Sequence, residues 1–207
     1  DLFQIIEIYQ PDLIGIEIRP EDIHENDKYL KNFYPLEMRM VRDSFPNRVR
    51  GLDFYGNELK GELIPVDVFK NEDTEIGQYV ALSQKMSSNS SIIEKKKISG
   101  LPEILKEQQK MALQDSAEEF MNGRYDSITR IYYNRLAKLL QNTAYEAVAD
   151  FDRRRDIEIT KNTLSLIEKH PGKKILILVG ANHRGRIVDS LENKNVKMIT
   201  SLDFLEK

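Results

Sequence analysis

The chain has 207 residues, no cysteine and a net charge of −3, from 31 Lys and Arg against 34 Asp and Glu. This length supports a domain with its own core, and the absence of cysteine excludes disulfides, a Cys nucleophile and thiolate metal ligands. The near balance of charges argues against a nucleic-acid partner, and no apolar run is long enough for a membrane span. We therefore predict a cytoplasmic protein with no nucleic-acid partner and no membrane span.

The first elements alternate between helix and strand. Apolar residues at helical spacing predict a helix over residues 1–9, and residues 13–18 predict a short buried strand. A second helical stripe covers residues 29–41, where Pro35 is expected to split or kink the helix. Residues 48–54 predict the next strand. This alternation is typical of a parallel sheet.

Two carboxylates accompany these strands. Glu17 falls within the apolar run 13–18, where an unpaired carboxylate is costly to desolvate. Glu17 therefore either has a partner or lies at the end of the strand in solvent. Asp53, near the end of strand 48–54, would lie at the same sheet edge, although local hydrogen bonding in the following turn explains an Asp there equally well.

Residues 60–150 are mainly charged, with apolar positions at helical spacing. We interpret them as a mainly helical insertion in a single α/β domain over residues 1–207, serving either as a cap over the strand ends or as a structural layer. The stripe from Leu136 to Phe151 predicts one long amphipathic helix. Tyr125, next to Arg124, belongs to an aromatic and basic group that could line a ligand cleft.

The last section returns to the alternation of helix and strand. Residues 157–167 predict a helix that ends before Pro171, and the apolar run 175–179 is typical of a central parallel strand buried on both faces. A helix containing residues 187–191 and a short strand over residues 196–199 follow. The predicted fold class is α/β, a largely parallel or mixed central sheet flanked by helices, with a helical insertion.

His183 lies just beyond the strand 175–179. Ligands of open α/β sheets bind outside the carboxyl ends of the strands, so a titratable residue at this point is the first candidate for function. The alternative is a histidine that only caps the next helix. Among the three adjacent arginines 153–155, at most two can face one site, because neighbours on a helix point about 100° apart.

Three ordered segments resemble the TraB/Tiki superfamily, whose wider relatives include the erythromycin esterases and the ChaN haem-binding lipoproteins. The segments are Pro11–Glu17, Arg155–Thr163 and Gly172–His183, the last of which ends in a Gly-x-x-His motif. Residues 60–150 are not covered. The resemblance implies a hydrolytic site in which Glu17 and His183 are metal ligands or acid/base groups, and Arg155 binds an anion or pairs with Glu17.

The chain departs from the family pattern at two places. A first Gly-x-x-His motif, expected on a strand before residue 1, is absent, and Asp156 and Ile159 stand where the family has Asn and often Met. Glu17 and His183 supply two metal ligands, whereas a catalytic zinc normally takes three protein ligands. An upstream strand with a second histidine would complete such a site.

The sequence thus predicts hydrolysis of an amide or ester in a small-molecule or peptide substrate by Glu17, His183 and Arg155. With a divalent metal on Glu17 and His183, bound water would supply the nucleophile. Without a metal, His183 would act as general base, Glu17 would orient it and Arg155 would stabilise the oxyanion. The alternative is a non-catalytic module of the same fold that binds haem, a metal or a small molecule.

Overall fold

A computed structural model describes residues 2–114, 116–192 and 194–199. The chain divides into two compact units, Asp1–Val66 together with Arg155–Lys207, and Asp67–Arg154. The first unit contains the sheet, and the second is helical. The sequence predicted a helical insertion over residues 60–150. In the structure, the helical unit covers residues 67–154.

The described residues form ten α-helices and three strands. In chain order they are α1 (Leu2–Tyr9), β1 (Leu13–Ile16), α2 (Asp27–Leu30), α3 (Leu36–Ser44), β2 (Val49–Gly51), α4 (Glu75–Ser88), α5 (Ser90–Ile98), α6 (Leu101–Gln114), α7 (Ala117–Met121), α8 (Arg124–Leu140), α9 (Glu146–Glu168), β3 (Ile175–Leu178) and α10 (Ala181–Leu191). Two single 3₁₀ turns, Asn57–Leu59 and Val68–Lys70, precede α4. The predicted α/β class is confirmed in part, because the described residues form a small parallel sheet flanked by helices and are mostly helical.

The sheet is parallel and has the strand order β2-β1-β3. Ile14 lies opposite Val49 on one side and Leu176 on the other. Every residue of β1 is buried, whereas β3 is only partly buried. The prediction that the run 175–179 is the central strand is therefore wrong for the sheet that these residues form. Both runs are short and apolar, and neither sequence reveals which strand has partners on both sides.

Close packing over β1 depends on Gly15. A Cβ atom at this position would lie 2.8 Å from Cδ1 of Leu52 and 2.9 Å from Cδ1 of Ile177. Leu52 belongs to a small core with Leu13 and Leu166, against which Ile177 packs. The missing side chain therefore lets the strand and its neighbours meet at van der Waals distance.

Several predicted helices are confirmed. The helix 1–9 is α1, and the helix predicted over residues 157–167 is the last part of α9, which ends at Glu168. Pro35 splits the 29–41 stripe as predicted, because α2 ends at Leu30 and Pro35 is the N-cap of α3. Proline suits a helix start, where its missing N–H has no intrahelical partner.

Two predicted elements are wrong. The stripe from Leu136 to Phe151 is interrupted between α8 and α9, where Asn142 adopts the left-handed conformation with φ of 59°. Hydrophobic spacing continues across that break, so the pattern alone could not reveal it. Residues 196–199 form no strand within the described part of the chain, and Val196 and Met198 are exposed. A short apolar run forms a strand only where another strand lies beside it and pairs with its backbone.

The helical unit has its own core. Its buried members come from α4, α5, α6, α8 and the start of α9, and they are Met86, Ile92, Leu101, Leu136, Leu140 and Val148. This accounts for the apolar spacing that the sequence showed across the insertion. Among the helices of the described residues, none has the length and apolar character needed to cross a membrane.

Gly77 provides a test of the packing between α4 and the preceding 3₁₀ turn. We expect Gly77→Ala to lower the free energy of unfolding by about 1–3 kcal/mol, because its Cβ would overlap the carbonyl oxygen of Asn71. Helix propensity alone predicts the opposite sign, since alanine is favoured over glycine by about 1 kcal/mol in a helix. Urea denaturation decides between them. The exposed Gln84→Ala on α4 is the control, and stabilisation by Gly77→Ala would refute the overlap.

Candidate functional site at the carboxyl edge of the sheet

The three strands deliver polar residues to one edge of the sheet. Glu17 is the first residue after β1, Asp53 follows β2 by two residues, and His183 is in the first turn of α10, which follows β3. Because the strands are parallel, their carboxyl ends lie at the same edge. Arg155 reaches this edge from α9 and contacts both carboxylates.

Glu17 connects the end of β1 to the end of β3. Its Oε2 accepts a hydrogen bond of 2.6 Å from the backbone N–H of Gly180, and its Oε1 accepts one of 2.8 Å from Arg155 Nη2. A Cβ atom at Gly180 would lie 3.3 Å from Glu17 Oε2. Glycine at this position therefore allows the carboxylate to approach the backbone. Glu17 lies at the strand end, yet it is paired rather than simply solvated.

Asp53 and Arg155 form a two-point ion pair. Arg155 Nε donates to Asp53 Oδ1 at 2.8 Å and Nη2 donates to Oδ2 at 2.9 Å. The Asp53 side chain is only 1% exposed, while that of Arg155 is 26% exposed. The Arg155 guanidinium also lies 5.6 Å from the centre of the Tyr55 ring, a cation–π distance. Asp53 therefore fixes the orientation of the Arg155 guanidinium at the sheet edge.

The His183 ring lies between two carboxylates. Nδ1 is 3.0 Å from Asp156 Oδ1, and Nε2 is 3.6 Å from Glu17 Oε1. The side chains of His183 and Glu17 are 14% and 16% exposed, so solvent still reaches the pair. Two carboxylates near its two nitrogens favour an imidazolium, which donates from Nδ1 to Asp156 and faces Glu17 with Nε2.

The pKa values follow from these contacts. Burial by itself would raise the pKa of Glu17, but hydrogen bonding to His183, the charge of Arg155 and the Gly180 amide lower it to about 2. Burial by itself would lower the pKa of His183, but the hydrogen bond to Asp156 and the nearby Glu17 carboxylate raise it to about 9. Burial raises the pKa of Asp53, and the Arg155 guanidinium opposes that effect. At neutral pH, Glu17 is therefore ionised and His183 is protonated.

The sequence prediction missed three residues that contact this cluster. Asp156 joins His183 Nδ1 to Arg186, whose Nε donates to the second oxygen of Asp156. Arg186 follows His183 by three residues on α10, a spacing that places both side chains on one face. That spacing could have been read from the sequence. No sequence signal pointed to Tyr55, which reaches Arg155 through the loop after β2.

The described residues do not complete a site for a divalent metal. Among the described residues, no group of three or more His, Asp or Glu side chains could hold a metal ion. Both ring nitrogens of His183 face carboxylate oxygens, and both Glu17 oxygens accept hydrogen bonds. A metal ion on His183 would have to displace the proton and the carboxylate contact at one ring nitrogen. The metal site stays a prediction.

The fold and the site together define an α/β protein with alternating charges at the carboxyl edge of a parallel sheet. From Asp53 through Arg155, Glu17, His183 and Asp156 to Arg186, each acid contacts a base. No protein-family profile, curated protein or solved structure matches the chain. The resemblance to the TraB/Tiki superfamily accordingly stays a prediction from sequence.

Proposed function

We propose that the chain is a hydrolase that cleaves an ester or amide bond in a small-molecule or peptide substrate at this sheet edge. The observation that supports it is the His183 ring, held between Glu17 and Asp156 while partly exposed. Proton-transfer groups in enzymes combine this kind of orientation with access to substrate.

The raised pKa of His183 changes the role that the sequence suggested. At neutral pH the ring already holds its proton, so His183 acts as a general acid. Water attacks the carbonyl carbon and its proton passes to solvent, while His183 Nε2 protonates the leaving oxygen or nitrogen as the bond to carbon breaks. His183 then takes a proton from solvent, and Glu17 stays ionised and orients the ring.

Arg155 is suited to the charge that develops on the carbonyl oxygen. Its side chain is partly exposed, and Asp53 and Glu17 hold its Nε and Nη2. A preorganised guanidinium stabilises an oxyanion without reorganising during the reaction. Arg155 would therefore stabilise the tetrahedral intermediate, or bind a carboxylate of the substrate.

Hydrolysis by His183→Gln tests the proposal. We expect kcat/KM to fall by about 10²–10⁴-fold, the usual contribution of a general acid. The substrates are p-nitrophenyl acetate, p-nitrophenyl butyrate and acetylated peptide p-nitroanilides. The wild-type rate is expected to decline as the pH rises through about 9, because the acid form of His183 is lost. A general base would instead give a rate that rises over that range.

His24→Gln is the matched control, because His24 is an exposed histidine of the same unit. It should retain the wild-type rate.

Metal analysis of the wild-type protein and of His183→Ala tests whether the hydrolase depends on a metal. A metal-dependent hydrolase requires a stoichiometric metal in the wild type that is lost in the variant. Equal rates for wild type and His183→Gln would refute the hydrolase, and absence of turnover would favour a non-catalytic binding module.

A further inference from the structure

Asp156 is the carboxylate that the proposed reaction does not use. It follows Arg155 on α9, and its two oxygens contact two residues of α10. Oδ1 is 3.0 Å from His183 Nδ1, and Oδ2 accepts a hydrogen bond from Arg186 Nε. The Asp156 side chain is about one-fifth exposed, less than the Arg186 side chain. Asp156 therefore fastens the first turn of α10 to α9 through the histidine ring.

This contact fixes which ring nitrogen faces Glu17. When Nδ1–H is directed at Asp156, Nε2 is directed toward Glu17, at 3.6 Å from its Oε1. A rotation of the ring about χ2 would exchange the nitrogen and carbon positions and break both contacts. A carboxylate at one imidazole nitrogen commonly fixes the tautomer and the orientation of the other.

Arg186 holds Asp156 in turn. Its guanidinium pairs with the oxygen that His183 does not use. The charged groups around the ring are thus Glu17 after β1, Arg155 and Asp156 on α9, and Arg186 on α10. Opposite charges alternate among them, so the arrangement favours a single orientation of His183.

We infer that Asp156 is a positioning residue, which acts through His183 by fixing its ring with Nε2 toward the reacting bond. This inference rests on the hydrolase proposed above. Asp156 itself need not touch the substrate. Its removal is expected to leave the fold and the binding surface largely intact while the proton donor becomes misaligned.

The test is a series of substitutions at Asp156. We expect kcat to fall in the order wild type, Asp156→Asn, Asp156→Ala, by about 10²-fold for alanine, with KM unchanged. Asparagine still offers an oxygen to Nδ1–H, so it should rescue part of the loss. In two-bond ¹H–¹⁵N spectra, the wild-type His183 should show a protonated Nδ1, and Asp156→Ala should lose the hydrogen-bonded Nδ1–H signal.

The control is Asp150→Asn, the same change at a half-exposed residue of α9 that pairs with Arg153. It should alter neither kcat nor the His183 signals.

An active Asp156→Ala with unchanged kcat and an unchanged Nδ1–H signal would overturn the positioning role. If Asp156→Ala fails to fold, the isosteric Asp156→Asn decides: a lowered kcat with a shifted Nδ1–H signal supports the positioning role, and wild-type values of both overturn it. If the wild type turns over no substrate, yet the Nδ1–H signal depends on Asp156, the hydrolase is refuted and the orienting contact is supported.

Discussion

Arg155→Leu is expected to lower the free energy of unfolding by about 3–5 kcal/mol at neutral pH, because it leaves a buried carboxylate without its partner. Asp53 is 1% exposed and receives two hydrogen bonds from this guanidinium. Glu17 loses a hydrogen bond from the same side chain. Urea denaturation of wild type and variant measures the loss. The loss of unfolding free energy should be smaller in acid, because a protonated Asp53 has no charge that requires a cation.

Arg154→Leu is the matched control for this substitution. Arg154 is the neighbouring arginine, 42% exposed, and it pairs with Glu75. Exposed pairs contribute about 0–1 kcal/mol, so this variant should remain close to wild type. Adding Asp53→Asn to Arg155→Leu should recover part of the lost stability, since the unpaired charge is removed. Equal stabilities of the two arginine variants would show that the Asp53 pair does not hold this edge together.

The sequence predicted the location of this cluster through residues that break an apolar pattern. Glu17 lies inside the apolar run 13–18, and an acidic residue there required a partner or a strand end. His183 follows another apolar run, at the place where ligands of parallel sheets bind. Because parallel strands share one carboxyl edge, these two residues and Asp53 could be expected close together. The 3.6 Å separation of Glu17 and His183 agrees with that expectation.

Other features depend on packing that a single sequence does not encode locally. The short runs 13–16 and 175–178 are both apolar, so the central place of β1 followed only from the strand pairing. Asp156 was noticed as a departure from a family pattern, but its contact with His183 requires α9 and α10 to meet. Helical spacing likewise continued through the turn at Asn142, where one residue with positive φ ends α8.

The stability of the chain is expected to depend on pH through Glu17 and His183, with opposite signs. The pKa of Glu17 is lowered from 4.5 to about 2, so its contribution is present above pH 4.5 and is lost as the pH falls toward 2. The pKa of His183 is raised from 6.5 to about 9, so its contribution is present below pH 6.5 and is lost as the pH rises through 9. Both contributions are fully present between pH 4.5 and pH 6.5.

Each contribution is on the order of 3 kcal/mol, from 1.36 kcal/mol per pKa unit. The two figures share the Glu17–His183 contact and therefore do not add. His183→Gln should be less stable than wild type at pH 5.5 and approach it at pH 9.5, because only the wild type loses a charged contact over that range. Urea midpoints at pH 5.5, 7.5 and 9.5 measure the difference, with His24→Gln as control.

A constant difference between wild type and His183→Gln over this range would contradict the raised pKa, and with it the general-acid role. If the stability difference between wild type and variant narrows as the pH rises, His183 is protonated at neutral pH. This measurement needs no substrate. Glu17→Gln completes the test from the acid side, where its deficit should narrow as the pH falls from 4.5 toward 2. The stability deficit of Glu17→Gln should narrow at acid pH and that of His183→Gln at alkaline pH. A variant that only weakens the fold would not show this pH dependence.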